Sequence, residues 1–227
     1  MIDPLFWETL WLTFKLAITT TTILFVIGIP IAALLGTNQF RGKPILDALI
    51  SMPLVLPPSV LGYYLLVAYS PDNFPGNLLK EWFDVQLAFS YEGIVIGSVI
   101  FSLPFMISPI QSGLQNLPSS LSEACATLGK NKWTTLYKVL LPNIKPSLLT
   151  AGVLTFAHTI GEFGVVLMIG GNLQGRTRVA SIAIYDELQD LHPEIANRYA
   201  LILFAVTFTL LIAINLINRK QSVWKPF

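Results

Sequence analysis

The stretch SLSEACATLGKNKWTTLYKVLLP, residues 120–142, interrupts an otherwise apolar chain with three lysines, one glutamate and one glycine. Pro118 precedes it, and Ser120-Leu121-Ser122-Glu123 has the form of a capping box. In that motif the serine hydroxyl accepts the N–H three residues on, while the glutamate reaches back to the serine N–H. Leu121, Ala124, Cys125 and Leu128 then share one helical face. Gly129 follows where a helix end favours a left-handed residue. A second face runs through Trp133, Leu136, Tyr137 and Leu140, and Pro142 closes it. The spacing predicts a helix–glycine turn–helix, with each half too short to cross a bilayer. From the residues alone it is either an interfacial loop lying on lipid headgroups or a docking knob that passes motion from a soluble partner into the membrane.

The chain around it is built for lipid. Of 227 residues, 53% are hydrophobic and 12% charged, about half the charge of an ordinary soluble domain; the mean hydropathy is +0.64. No charge interrupts Leu16 to Phe40, Ala48 to Pro71, Gly93 to Ser122 or Tyr199 to Asn218, and Glu162 alone breaks Pro146 to Gly175. A spanning helix needs about 20 apolar residues. The pattern therefore predicts an all-α polytopic membrane protein of one domain, residues 1–227. Its five spans fall near 12–37, 46–70, 92–116, 146–170 and 199–218, in a multi-pass arrangement. The start, MIDPLFWE, lacks the cationic region of a cleaved leader, so the first window reads as a permanent helix.

Basic residues near span ends mark the cytoplasmic side. Arg41 and Lys43, then Lys130, Lys132, Lys138 and Lys145, then Arg219, Lys220 and Lys225 make nine. The alternate loops hold four: Lys80, Arg176, Arg178 and Arg198. This orients the chain with its N-terminus outside and its C-terminus inside. Residues 176–198 mix acids and bases, and a short interfacial helix or a further membrane segment both fit there. Residues 70–90 and 180–191 read equally as gate lining or loop cap.

The 120–142 stretch resembles the EAA motif of ABC importer permeases: Glu-Ala-Ala, three residues, Gly, nine residues, Ile-x-Leu-Pro. Here it stands as Glu123-Ala124-Cys125, Gly129 and Val139-Leu140-Leu141-Pro142, with Cys125 and Val139 as the departures. MPLVLPPSVLGYYLL (52–66), FAHTIGEFGVVLMIGGNLQGRTR (156–178) and ASIAIYDELQ (180–189) are similar to permease subunits of the oxyanion branch. Molybdate is the first choice of cargo there, tungstate the second and sulfate the third. The resemblance implies a type I importer permease fold in a prokaryotic plasma (inner) membrane. It also implies that loop 118–142 is the coupling segment for a separate ATPase, with Glu123, Ala124, Cys125, Leu128, Gly129 and Pro142 as its site residues. The implied partners are a second permease copy, two ATPase subunits that use ATP and Mg, and an external oxyanion-binding protein. No cofactor is expected on this chain itself.

Two features suggest a pathway or gate. Pro53, Pro57 and Pro58 crowd one span, where each proline removes a backbone donor. Such a break is tolerated where the freed groups face protein or a water-filled cavity, although a kink that merely suits helix packing also fits. The second feature is Gly161-Glu162-Phe163-Gly164. Intramembrane acids usually face a bundle interior, and Glu162 lies four residues from His158. The pair reads either as a proton relay or as a structural pair satisfied by Ser, Thr or backbone groups. A structural or gate-packing role is favoured, with Gly161 and Gly164 allowing close helix approach, because a carboxylate repels an oxyanion. Arg176 and Arg178 either guide an anion inward or form a solvated loop pair.

Other classes find less support. A net charge of +1 excludes a basic nucleic-acid surface. One cysteine excludes a disulfide framework and a cysteine-held metal. The sequence has no HExxH, no Ser/His pairing and no P-loop, so it reads as a non-enzyme whose energy comes from another polypeptide. A proton-coupled carrier working through Glu162 and His158 is the alternative of a different class.

Overall fold

The computed structural model describes residues 4–223, and among them the chain is helical with no strand. Lys225 lies outside the described residues, as do the side chains of Arg219 and Lys220. The helices are α1 (Pro4–Thr37), α2 (Lys43–Val55), α3 (Pro58–Tyr69), α4 (Gly76–Phe83), α5 (Tyr91–Gln115) and α6 (Ser119–Thr127). After α7 (Lys132–Thr135) a π-helical turn, Leu136–Leu140, leads into α8 (Leu141–Asn143). Then follow α9 (Lys145–Ile160), α10 (Gly164–Gly170), α11 (Ala180–Gln189) and α12 (Pro193–Val223).

Three of these helices, α1, α5 and α12, are long and apolar enough to cross a membrane alone. Two bent pairs pass the same test only together: α2 with α3, at 112°, and Lys132–Asn143 with α9, at 82°. The chain is thus a polytopic all-α bundle. The window 46–70, read above as one span, is divided at Leu56 and Pro57, whose ψ angles of 136° and 134° take the backbone out of the helix. The window 146–170 is likewise divided, between α9 and α10.

The axis of the bundle is α5. In its hydrophobic window 67% of residues are buried, against 11% for α12, so α5 faces protein where α12 presents Leu201, Phe204 and Phe208 outward. Ser90 starts α5 by accepting the Gly93 N–H at 3.0 Å, an N-cap bond. α1 lies along α5 through Gly28 and Gly36. A Cβ on Gly36 would stand 3.0 Å from Leu114 Cβ and 3.3 Å from the Gln111 carbonyl, so only hydrogen fits. The threonines of α1 stay compatible with an apolar helix by bonding back to it, as Thr13 does to the Thr9 carbonyl at 2.8 Å. The same Thr13 oxygen accepts the Ala180 N–H at 2.8 Å and so caps α11 from 167 residues away.

Around α5 the core forms two main clusters. One gathers Leu16, Leu61, Ile94, Phe101, Val165 and Ile169; the other holds Leu24, Leu35, Met106, Ile110, Leu136 and Leu140. The second cluster ties the end of α1 to the 118–143 segment. At the opposite end of the bundle Lys15 stands 4.4 Å over the Tyr91 ring, and the 171–178 loop reaches Glu8 at Gly175. The mixed-charge segment 176–198 contains the ten-residue α11, which buries Ala180, Ile182 and Ala183 against its neighbours and is too short to be a further span.

Replacing Gly36 with Val overpacks the α1–α5 contact. The expected cost is about 1–3 kcal/mol, read as a lower melting temperature of the detergent-purified protein. An unchanged melting curve counts against this packing.

Candidate functional site

The 118–143 segment folds as a helix–glycine turn–helix, though its first cap differs from the sequence reading. Pro118, with φ −59° and ψ 135°, is the residue before α6, and no side-chain cap bond forms. Its ring fixes φ at a value that launches the helix directly behind it, so Ser120 is already helical and the Ser120–Glu123 capping box does not form. The C-terminal end is a Schellman motif. Gly129 has φ +67°, its N–H donates to the Ala126 carbonyl at 2.9 Å, and the Lys130 N–H donates to the Cys125 carbonyl at 3.0 Å. Nothing lies within 4 Å of a Cβ at Gly129, so its conformation, not space, calls for glycine.

Asn131 restarts the chain by accepting the Thr134 N–H at 2.7 Å, a cap the sequence reading missed. The helix then continues past Leu136 as the π turn, and Pro142 sits inside α8 instead of ending the run. The chain bends at Ile144, with φ −110° and ψ 25°, and α9 begins.

The segment has two faces. Leu136, Leu140, Leu141 and Ile144 are buried against α1 and α5. Leu128, Trp133 and Tyr137 are bare, 73%, 59% and 53% exposed, and the Trp133 and Tyr137 rings stack at 6.1 Å. Cys125 is buried while Glu123 and Ala124 are exposed. The single apolar stripe read from Trp133 to Leu140 is therefore two adjacent stripes with opposite fates. Beside the bare face runs a groove of about 520 Å³ between Pro30 and Leu34 of α1 and Ala126, Lys132 and Trp133.

The second constellation lies beside the breaks in the helices, with Pro58, Ser59 and Gly161 exposed at it. A cavity of about 680 Å³ is lined by Pro58 and Ser59 of α3, Phe101 of α5, His158 of α9, and Glu162 and Gly164. Gly161 and Phe163 complete the quartet 161–164 on its wall. Phe101 is near the middle of α5, so the cavity is near mid-membrane. Of the three prolines only Pro58 lines it; Pro57 lies in the break and Pro53 is buried within α2. α10 can approach α3 here because Gly62 and Gly164 lack side chains. A Cβ on either would stand 2.8 Å from Met168 Cβ or Pro58 Cβ respectively. Gly161 has no such role: its nearest neighbours are carbonyls of its own helix at 3.8 Å, and it ends α9.

His158 and Glu162 do not share a helix face, because α9 stops at Ile160 and Glu162 stands in the break. They meet through the cavity instead. His158 Nδ1 is bonded to Ser102 Oγ at 2.9 Å, and its ring stacks on Phe105 at 4.0 Å. Glu162 is 3% exposed, and its backbone carbonyl accepts the Ser181 hydroxyl at 2.6 Å. The Ser98 side chain lies close to its carboxyl group, but no hydrogen bond of good geometry reaches either carboxyl oxygen or Ser98 Oγ. Of the pair read from sequence, His158 has its serine partner, while neither Glu162 carboxyl oxygen has a hydrogen bond of good geometry. Ser59, Ser98, Phe101 and Ser102 escaped the sequence reading, because serines and phenylalanines in an apolar helix carry no local signal of which way they face.

The two arginines outside α10 separate. Arg176 is exposed. Arg178 is 8% exposed and pairs with Asp186 and Glu187 of α11, each at 3.4 Å. Asn172 Nδ2 donates to the same Asp186 at 2.8 Å. This cluster clasps the 172–178 loop to α11, so Arg178 belongs to neither reading offered from sequence.

A bundle with an anchored, half-bare helical loop and a midplane cavity between broken helices is that of a membrane transport component. The chain belongs to the family of binding-protein-dependent transport system inner membrane components, which matches residues 7–222, and it is an inner-membrane protein. It is similar to the molybdenum transport system permease protein ModB of Azotobacter vinelandii, 39% identical over 210 residues and 92% of each chain. The ModB of Escherichia coli K12 is 35% identical over 183 residues, covering 81% of this chain and 80% of that one. The sulfate transport system permease protein CysT of the same organism is 33% identical over 195 residues, 86% of this chain and 70% of its own. Among solved structures, the inward-facing MetNI methionine ABC transporter matches with a TM-score of 0.73 at 18% identity, covering 97% of this chain and 99% of that one. A bacterial alginate ABC transporter in complex with its pentasaccharide-bound periplasmic protein matches at 0.75, also with 18% identity, over 96% and 80%. These two share the fold.

Removing one partner of a mostly buried ion pair strands the others. Arg178→Ala is expected to cost about 2 kcal/mol, since the acids remain partly in contact with solvent. Thermal unfolding of the purified variant measures it.

Proposed function

We propose that this chain is the membrane-spanning permease of an ATP-driven importer that carries an oxyanion, most simply molybdate, into the cell. The observation that carries the reading is the two-faced loop: Gly129 turns it, four apolar side chains anchor it, and Leu128, Trp133 and Tyr137 are left bare within the Glu123–Gly129–Pro142 spacing. The molybdenum permeases among its relatives support the cargo, ahead of tungstate and sulfate.

In this reading the chain pairs with a second copy around the substrate route. Two ATPase subunits dock on the bare loop faces and consume ATP with Mg; this chain binds no nucleotide. An external binding protein delivers the anion to the opposite end. The loop end, which carries Lys130, Lys132, Lys138 and Lys145 together with Arg41 and Lys43, is the cytoplasmic one. That puts the N-terminus outside and the C-terminus inside. Closure of the ATPases on ATP draws the two coupling loops together, and the buried anchors pass that motion to α1, α5 and α9.

The test is reconstitution of the chain in proteoliposomes with its ATPase and binding protein. ATP-dependent uptake of molybdate is expected; uptake driven by a proton gradient without ATP would return the case to a carrier working through Glu162 and His158. Within the complex, Gly129→Asp is expected to leave the bundle folded, because the position is open to solvent. Charge and bulk at the docked turn should still lower ATP-driven uptake at least about ten-fold. Normal uptake by the purified variant complex counts against the loop as the coupling site.

A further inference from the structure

We propose that the groove between α1 and the 118–143 segment binds an anionic phospholipid, with its acyl chain along α1 and its headgroup phosphate at Lys130 and Lys132. The inference goes beyond the transport reading and does not depend on the cargo.

Depth along α1 is the first argument. The helix carries no charge from Leu16 onward, and the next charged residue after Phe40 is Arg41. Near its start Trp7 and Trp11 are bare, 56% and 67% exposed, as the aromatic belt at a membrane surface is. Pro30 stands about 29 Å of helix beyond Trp11, close to the thickness of one hydrocarbon core. Pro30, Ala33, Leu34 and Thr37 form the α1 side of the groove, whose volume is about 520 Å³. That wall therefore runs from the edge of the hydrocarbon into the headgroup layer. The exposed Ile27 and Leu34 lie two turns apart with Pro30 between them, so a bare apolar stripe on α1 leads into the groove.

Charge is the second. Lys130 and Lys132 line the groove from the loop side, both exposed, and no acid lines it; Glu123 of α6 is not on its wall. Neither lysine has a carboxylate within ion-pair distance, since the ion pairs among the described residues are those of Arg178 and of His192 with Glu187. The polar groups at the α1 rim are turned back on their own helix. Thr37 donates to the Ala33 carbonyl at 2.7 Å, and Asn38 to the Leu34 carbonyl at 3.1 Å. Two unpaired cations at the end of an apolar trough fit a headgroup of net negative charge. A zwitterionic headgroup fits them less well, because its own cation offsets the phosphate. Trp133 completes the site, lining the groove and stacking on Tyr137; an indole suits a boundary that is apolar on one side and wet on the other. Leu128 and Tyr137 are not on the groove wall, which leaves them to a protein partner while lipid fills the trough.

The experiment reads Trp133 fluorescence in the full chain, reconstituted in phosphatidylcholine vesicles with a small share of lipid brominated near the headgroup end of its acyl chain. The brominated lipid is phosphatidylglycerol in one arm and phosphatidylcholine in the other, and Trp133→Phe subtracts the remaining tryptophans. Both leaflets hold the probe, so the result is independent of which end of the bundle faces inside. Phosphatidylglycerol is expected to quench Trp133 with about ten-fold higher relative affinity, from about three- to five-fold for each lysine. The double variant Lys130→Gln/Lys132→Gln is expected to bring the two lipids within about two-fold, whereas Lys138→Gln/Lys145→Gln, at exposed lysines off the groove wall, keeps the preference. Inorganic phosphate in excess is expected to leave quenching unchanged. Equal quenching by the two lipids overturns the inference, and so does a preference that survives loss of Lys130 and Lys132. An equal fall in the Lys138/Lys145 variant assigns the effect to diffuse surface charge and overturns it too, and displacement by phosphate points to a free anion instead of a lipid. If Trp133 is shielded from both lipids once the ATPase or a second copy is bound, the groove belongs to that protein and the inference fails.

Discussion

Leu136, Leu140, Leu141 and Ile144 lie in the same buried cluster as Leu24, Leu35, Met106 and Ile110 of α1 and α5, and the remainder of the molecule depends on that contact. Burying one such side chain stabilises by about 1.5–3 kcal/mol, so four together hold a polar segment firmly against an apolar bundle. Without them the lysine-rich stretch would float on the membrane surface as an ordinary amphipathic loop. With them, a push on Trp133 or Tyr137 reaches side chains that α5 already grips. Interiors packed at protein density transmit such displacement instead of absorbing it.

A second constraint governs the interior. Backbone groups in a bilayer have no water to turn to, yet two of the windows are broken near the midplane. Most of the amides at those breaks find acceptors locally. The Leu56 N–H donates to the Met52 carbonyl at 3.0 Å and Val60 to Pro57 at 2.9 Å; Gly161 donates to His158 at 3.1 Å and Leu167 to Phe163 at 2.8 Å. Prolines 57 and 58 remove two donors that would otherwise need partners. The two breaks also face one another, with Gly164 seated on Pro58. Interruption is cheap because the interrupted elements pack on each other, and what stays unsatisfied at the junction is a side chain, the Glu162 carboxyl.

The sequence carried much of this, and the rest was hidden for a physical reason. Apolar windows, basic loops and the glycine at 129 are local signals that report bilayer, orientation and turn directly. Gly129 does sit at positive φ between two short helices. The cap at its far side was ambiguous: Ser120 and Pro118 both suit a helix start, and proline's fixed φ decided it. The split of Trp133 and Tyr137 from Leu136 and Leu140 depends on where α1 and α5 stand, which no helical period encodes. Likewise Arg178 looks like Arg176 in the chain, and only the return of α11 with Asp186 and Glu187 separates them. Glu162 was legible as an exception, but its lack of a partner was not, since that is a property of everything around it.

These two regions are joined by one element. α9 begins at Lys145, directly after the anchored Ile144, and ends at Ile160, two residues before Glu162. Its sixteen residues make a rod of about 24 Å at 1.5 Å per residue. Ala151, Thr155, Thr159 and Ile160 bury one side of it, and Thr150 is tied to Asn218 of α12 at 3.0 Å. A helix held along one face can tilt or slide as a unit far more easily than it can shorten. His158, Gly161 and Glu162 therefore stand at the cavity wall, at the rod's far end from Ile144. The break after α9 separates that end from α10, which is packed on α3. The anchored loop and the cavity thus stand at the two ends of one helix, which packs along α5.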